Sequence, residues 1–243
     1  MPVDPVAQAK EARRLRLNGI LVVNKPPQLS SMGVVSRVRG RARGVRTGHA
    51  GTLDPLATGV LVLGLGRATK QLDGLMGLAK RYQTTIDLSI TNDCFDLERE
   101  THHVEVATPP SQVDIESALA KYTGDVQQAP PAFSAIKIDG EKSYELARRD
   151  EAPELPKRAV HVHDLRLTNF TWPLIELDIH CAKGFYVRSL ARDLGVMLGT
   201  GGVCRRIHRS AIGHFTDADA FEFDAIPDPI EQMHLMQWNN DES

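Results

Sequence analysis

Asp54 stands inside the run GHAGTLDPLATGVLVLGLG, Gly48 to Gly66, between a histidine-bearing glycine turn and a Pro-Leu-Ala-Thr-Gly corner that leads into an apolar stretch. Pro55 has a fixed φ and restricts the residue before it, so the Asp54 carboxylate leaves the chain in a narrow range of directions. A positioned, ionised carboxylate can add to an electron-poor carbon or take a proton. Asp, Thr, Gly and Pro also build ordinary turns. The length of the run, more than its Leu-Asp-Pro triplet, marks Asp54 as a chemical centre.

Two basic groups accompany it. Arg37, Arg39, Arg41, Arg43 and Arg46 follow one another with no acid between them, and Arg205, Arg206 and Arg209 form a second cluster. The formal net charge of −2 hides them. Eight acids and no Lys or Arg lie from Asp217 to Ser243, which leaves residues 1–216 at +6. Two arginine clusters on a basic body suit a polyanion, although either alone also fits a solvated helix face.

Other chemistries find less support. No apolar run nears the ~20 residues that cross a bilayer, and the polar, arginine-bearing start has no signal-peptide core, so no membrane partner and a cytoplasmic location are expected. Cys94, Cys181 and Cys204 are odd in number and form no CxxC pair, which predicts buried or incidental thiols rather than disulfides or a zinc site. Gly64-Leu-Gly66 with Asp87 beyond it loosely mimics a dinucleotide fingerprint, but Thr69 stands where the third glycine belongs. His161 and His163 share a strand face, whereas His102 and His103 point to opposite faces; neither pair has a third ligand in view.

The elements that must position these residues read as α+β. A chain of 243 residues, 42% hydrophobic, can bury one large core or two small ones. Residues 1–17 read as a polar extension. Ile20 to Val23 predicts a strand, and Ser30 or Ser31 caps a helix reaching about Val38. A strand follows over Val60 to Leu65, helical spacing over Ala68 to Ala79, and an alternating strand over Arg81 to Ile90, with Tyr82, Thr84, Ile86 and Leu88 on one face. Val113 to Tyr122 predicts a helix. Residues 127–149 read as a proline-opened loop, a hairpin turn at Asp139-Gly140 and a helix, with Lys137 among the basic residues of a surface or RNA-gripping insertion. Strands over Val160 to Leu167 and Leu174 to Cys181 precede a helix, Val187 to Leu198, closed by Gly199. No linker or repeat divides the chain, which predicts one domain with insertions.

The segments VNKPPQLSS, GHAGTLDPLATGVLVLGLGRATK, KRYQTTIDL, QQAPPAFSAIKIDGEKSYELAR, CAKGFYVRSLARDLG and GGVCRRIHRSAIGHF, in that order from about Asn18 to Phe215, resemble the TruB family of tRNA pseudouridine synthases. The resemblance implies the pseudouridine synthase fold: a mixed, mainly antiparallel central sheet flanked by helices, with an RNA-binding insertion, over residues 18–216. It implies isomerisation of uridine at position 55 in the T-loop of tRNA. Uracil is detached from C1′, turned and rejoined through C5. Such chemistry needs no redox step or activated water, so no metal and no cofactor are expected. The implied partner is the tRNA T-arm, with the protein acting as a monomer.

By the family pattern Asp54 is the catalytic acid, Arg188 the arginine that pairs with it, and Tyr82 the tyrosine that stacks on the target uracil. His49 corresponds to the histidine that helps fill the place of the extruded base. Lys25 is similar to a lysine that supports the acid's loop or reaches phosphate. Ile207 takes the apolar place beside the base, and Tyr186, Arg209 and Lys137 complete the substrate-binding set. Ile207-His208-Arg209 replaces the family's Leu-Arg-Arg, which suggests a weaker or pH-dependent RNA contact at His208. The acidic residues 217–243 are too few for the C-terminal RNA-binding domain of many relatives, and are expected to form a packing helix or a frayed end. A non-catalytic tRNA-binding or folding module, and a guide-RNA-directed relative, are the alternatives on the same fold.

Overall fold

The structure is a computed structural model describing residues 17–133, 137–138, 141–143, 146, 149 and 155–238. The polar extension expected over 1–17 therefore lies almost wholly outside the described residues, as does most of the helix expected near 143–149. The chain gathers into two compact units, one formed by the chain up to Lys80 with that from His208 onward, the other by Arg81–Ile207.

In chain order, β1 (Gly19–Lys25) leads to α1 (Ser31–Arg41), whose N-cap Ser30 accepts the Gly33 N–H at 3.0 Å and so satisfies one of the donors that every helix start leaves open. β2 (Thr47–His49) and β3 (Thr58–Leu65) flank the Asp54 loop. The helix expected over 68–79 is split into a 3-10 turn, Gly66–Gln71, and a short α2 (Leu72–Gly77). β4 (Lys80–Asp87) ends where the Asp87 carboxylate accepts both the N–H and the hydroxyl of Ser89, at 2.9 and 2.7 Å, an aspartate-centred turn that breaks the ladder.

β5 (Ile90–Thr91) pairs with β6 (His102–His103). α3 (Gln112–Ala120) opens with a Ser111–Asp114 capping box and is followed by β7 (Gly124–Gln128). β8 (Lys137–Ile138) and β9 (Glu141–Lys142) are antiparallel, with Lys137 opposite Lys142, and the turn expected at Asp139-Gly140 lies outside the described residues. β10 (Arg158–Thr171) and β11 (Leu174–Cys181) form a long hairpin ahead of α4 (Val187–Leu198), which Gly199 closes at φ +66°. β12 (Val203–Ile212), β13 (Phe215–Thr216) and β14 (Phe221–Glu222) complete the chain.

The first unit orders its strands β14-β1-β3-β12, with β2 added on β3 and β13 on β12. Both faces of its sheet are buried, and alternation divides the side chains. Leu21, Val23, Leu61 and Leu63 pack under Val34, Val35 and Val38 of α1, while Ile20, Val22, Val60 and Val62 pack on Ala68, Leu75, Phe215 and Trp238. The apolar strands expected over Ile20 to Val23 and Val60 to Leu65 thus serve two cores at once.

Residues 217–238 are not a helix. They are 3-10 turns and the two residues of β14, held by Ile226, Ile230, Leu235 and Trp238, all buried.

The second unit orders its strands β12-β4-β11-β10-β7. Ile86, Val160, Val162, Ile175, Leu177 and Ile179 face α3 through Ile115 and Leu119, and α4 through Leu190 and Leu194. The strands make a mixed, mostly antiparallel sheet, and the α+β expectation holds. All three cysteines are free and buried.

Candidate active site

The loop that carries Asp54 runs from Ala50 to Ala57, between β2 and β3, and its backbone is held by side chains from elsewhere in the first unit. Ser31, the first residue of α1, accepts the Leu53 N–H at 2.9 Å and donates its hydroxyl to the Leu53 carbonyl at 3.1 Å. Arg209 donates Nε to the Val60 carbonyl at 2.8 Å and its two terminal nitrogens to the carbonyls of Thr52 and Gly51, at 3.5 and 3.2 Å. Lys25 Nζ donates to the carbonyls of Pro26, Leu29 and Pro55 at 2.8, 2.7 and 3.0 Å. The Ala57 N–H closes a turn on the Asp54 carbonyl at 3.1 Å. Asp54 itself is half-buried, so its carboxylate retains access to solvent.

Strand register puts the two cations where they can do this. Lys25 of β1 faces Gly59 of β3, which faces Arg209 of β12. Gly59 has φ +103°, and a Cβ there would lie 2.3 Å from the Arg209 carbonyl oxygen, so only glycine lets β3 and β12 approach this closely. Both cations are buried, at 0% and 1% exposure. Burial pushes the Lys25 amine down to about 8; the Asp54 charge works against that shift, and the Arg209 charge adds to it.

His49, at the end of β2, also titrates below its ordinary value, because it is partly buried and then because Arg209 is near; the Gly51 backbone offsets this only in part. Its Nδ1 is buried with no hydrogen-bond partner.

In the second unit the first turn of α4 holds Arg188, 4% exposed. Its guanidinium donates to the carbonyls of Cys94 and Phe133 at 3.1 and 2.7 Å and forms an ion pair with Asp96 at 3.4 Å. Asp96 is itself buried and accepts the Glu98 N–H at 2.9 Å and the Cys94 thiol at 3.0 Å. Burial, and next the Asp96 hydrogen bond, push that thiol up to about 11, so it stays protonated and donating.

The N-cap residue, Tyr186, is clamped by the buried amide of Gln128, which accepts its N–H at 2.8 Å and donates to its carbonyl at 3.1 Å. Ser189 and Arg192 both donate to the Ala129 carbonyl, at 2.8 and 2.9 Å. Tyr82 and Ile207 rest half-buried against the core of this unit.

Asp54, Lys25, His49 and Arg209 are thus gathered around one loop, and Arg188 and Tyr186 around one helix start. Lys137 enters only through its backbone pairing with Lys142; its side chain lies outside the described residues. Arg209 needs correction. It does not stand on a phosphate-facing stripe with Arg205 and Arg206: those two are exposed, whereas Arg209, further along β12, is buried and bonded to loop carbonyls. Lys25 is fully buried, with its amine on carbonyls that include Pro55 of the loop.

The first arginine cluster divides as well. Arg37 lies over the Phe223 ring at 4.7 Å, Arg41 donates to the Ile226 carbonyl, and Arg43 pairs with Asp228 at 3.0 Å. Three of its five members therefore serve the acidic C-terminal segment. His208 bridges Thr58 through Nδ1 at 2.9 Å and Asp217 through Nε2 at 3.0 Å.

Sequence reasoning missed Ser31 as a ligand of the loop, Gln128, and Asp96. Each meets its partner only through tertiary contact, and Asp96 is one of four acids in the loop after β5. Among the described residues no three His, Cys, Asp or Glu side chains are grouped to hold a metal. His161, His163 and His180 stack ring to ring at 4.7 and 4.6 Å, with His161 bonded to Asp125 at 2.7 Å.

Comparison with known proteins adds a family. A family model described as TruB family pseudouridylate synthase (N terminal domain) matches residues 39–187. Over 213 residues the chain is 40% identical to a tRNA pseudouridine synthase B from Opitutus terrae, covering 88% of each chain. Over 221 residues it is 42% identical to a protein of the same name from Corynebacterium aurimucosum, covering 89% of this chain and 74% of that one. Its fold is similar to one in the crystal structure of a Cbf5-Nop10-Gar1 complex, with TM-score 0.66 at 23% identity, over 88% of this chain and 54% of that one.

Proposed function

The chain belongs to the TruB family of pseudouridylate synthases, and from that premise we propose that it converts uridine to pseudouridine at position 55 in the T-loop of tRNA, with Asp54 as the catalytic acid. The observation that carries this reading is the Asp54 loop: a half-buried carboxylate on a backbone whose neighbouring carbonyls are held by Ser31, Arg209 and Lys25.

The reaction breaks the N1–C1′ bond, turns the uracil, forms C5–C1′, and moves the C5 proton away while N1 regains one. Positive character grows at C1′ as the first bond breaks. An ionised carboxylate beside it either adds to C1′ or takes a sugar proton, and both courses need the charged, directed form that the loop supplies. Arg188 is the arginine of the proposed catalytic set, and within its own unit its guanidinium is fixed by Asp96 and two carbonyls. Tyr82 and Ile207, half-buried against one core, offer the ring and the apolar surface against which the uracil turns.

Extruding a base costs a few kcal/mol. His49 offsets part of this by filling the vacated place. The imidazole is neutral at pH 7, since burial lowers its pKa. Lys25 and Arg209 act on the loop rather than on the RNA. Residues 18–216 form the catalytic part in this reading, and Arg39, Arg46 and Arg206, all exposed, are among the arginines open to phosphate. No helix among the described residues is long and apolar enough to cross a membrane.

The test is site-resolved mapping of pseudouridine in an unmodified tRNA transcript incubated with the purified protein alone. Conversion of the T-loop uridine supports the reading. Binding without conversion would favour the non-catalytic alternative.

A further inference from the structure

We propose that Ser31 is a positioning residue for Asp54, an inference that rests on the functional reading above. The Leu53 carbonyl belongs to the peptide bond that joins Leu53 to Asp54, and the Ser31 hydroxyl donates to it at 3.1 Å. The same oxygen accepts the Leu53 N–H at 2.9 Å, so the hydroxyl hydrogen is committed to the carbonyl and both backbone groups of Leu53 are satisfied by one atom. On the other side of Asp54, the Asp54–Pro55 peptide is fixed by the Ala57 N–H at 3.1 Å and by the proline ring. Peptide planes are stiff. Pinning the plane on each side of the Asp54 Cα therefore sets the direction in which its side chain departs.

Ser31 differs from the other residues that hold the loop. Lys25 and Arg209 grip Pro55, Thr52 and Gly51, while Ser31 acts on the peptide that enters Asp54. It is 2% exposed. Without the hydroxyl, the Leu53 N–H and carbonyl would be left buried without their partner, and the peptide would turn to find another. The neighbouring Ser30 supplies a built-in control. Its hydroxyl caps α1 by accepting the Gly33 N–H at 3.0 Å, at the helix start rather than in the loop.

The experiment measures single-turnover conversion of an unmodified tRNA transcript, the affinity for that transcript, and the thermal midpoint, for wild type, Ser31→Ala and Ser30→Ala. Misdirecting a reacting group by a fraction of an ångström to one ångström slows chemistry by about ten- to a hundredfold. We expect that loss of rate in Ser31→Ala with tRNA affinity held within about twofold, a factor small on the free-energy scale, while Ser30→Ala loses thermal stability and keeps its rate. Should Ser31→Ala not fold, the near-isosteric pair Ser31→Thr and Ser31→Val replaces it, with only the threonine variant retaining the rate. A wild-type rate in Ser31→Ala or Ser31→Val, or an equal loss of rate in Ser30→Ala, overturns the proposal. An inactive wild type overturns instead the functional reading on which it rests.

Discussion

At the scale of single residues, the site is organised by cations that do not meet solvent. Lys25 is buried among carbonyls, and its amine is pushed down to about 8. Between that value and the 10.5 of an exposed lysine, the unfolded chain holds a proton that the folded chain has released. Stability contributed through this group therefore rises with pH across the window. Urea unfolding of wild type and Lys25→Met should show wild type gaining on the variant as pH rises from about 8 toward 10.5. A gap that stays constant or moves the other way would show that the amine is not desolvated as described. The family was legible in the sequence because the segments around Asp54, Tyr82, His49 and Arg188 are long and occur in family order. The inward turn of Arg209 was not, since three arginines so close in a chain look alike until the fold buries one of them. Asp96 and Gln128 were illegible for a plainer reason: each has its meaning in a partner far along the chain.

At the scale of elements, periodicity decided what was readable. The bounds of α4 follow from its apolar spacing and from Gly199, and β10 and β11 follow from alternation. The C-terminal segment carries neither period. It docks through isolated apolar side chains and short turns, which no window over the sequence detects. The Arg43–Asp228 pair within it is about half-exposed on both sides, 44% and 53%, and should contribute little. Ile230, fully buried beside α1, should dominate. Denaturant midpoints are expected to put Ile230→Ala at a cost of about 2–4 kcal/mol and Asp228→Asn below about 1 kcal/mol. The reverse order would mean that charge, not burial, holds the segment.

At the scale of the whole molecule, the −2 formal charge divides into a basic body at +6 and an acidic end at −8. Part of the end lies against the arginines of α1, so the surface available to RNA is smaller than the count of arginines implies. Binding of tRNA should still weaken with salt, by a slope of roughly 0.7–0.9 in log K per log salt for each phosphate contacted. Salt-independent binding would count against a phosphate-facing surface. The measurement closest to the central claim is pseudouridine mapping of an unmodified tRNA transcript after incubation with wild type and with Asp54→Asn, with affinity measured in parallel. The account predicts conversion of the T-loop uridine by wild type, and none by the variant at comparable affinity. Conversion by Asp54→Asn at the wild-type rate would contradict it.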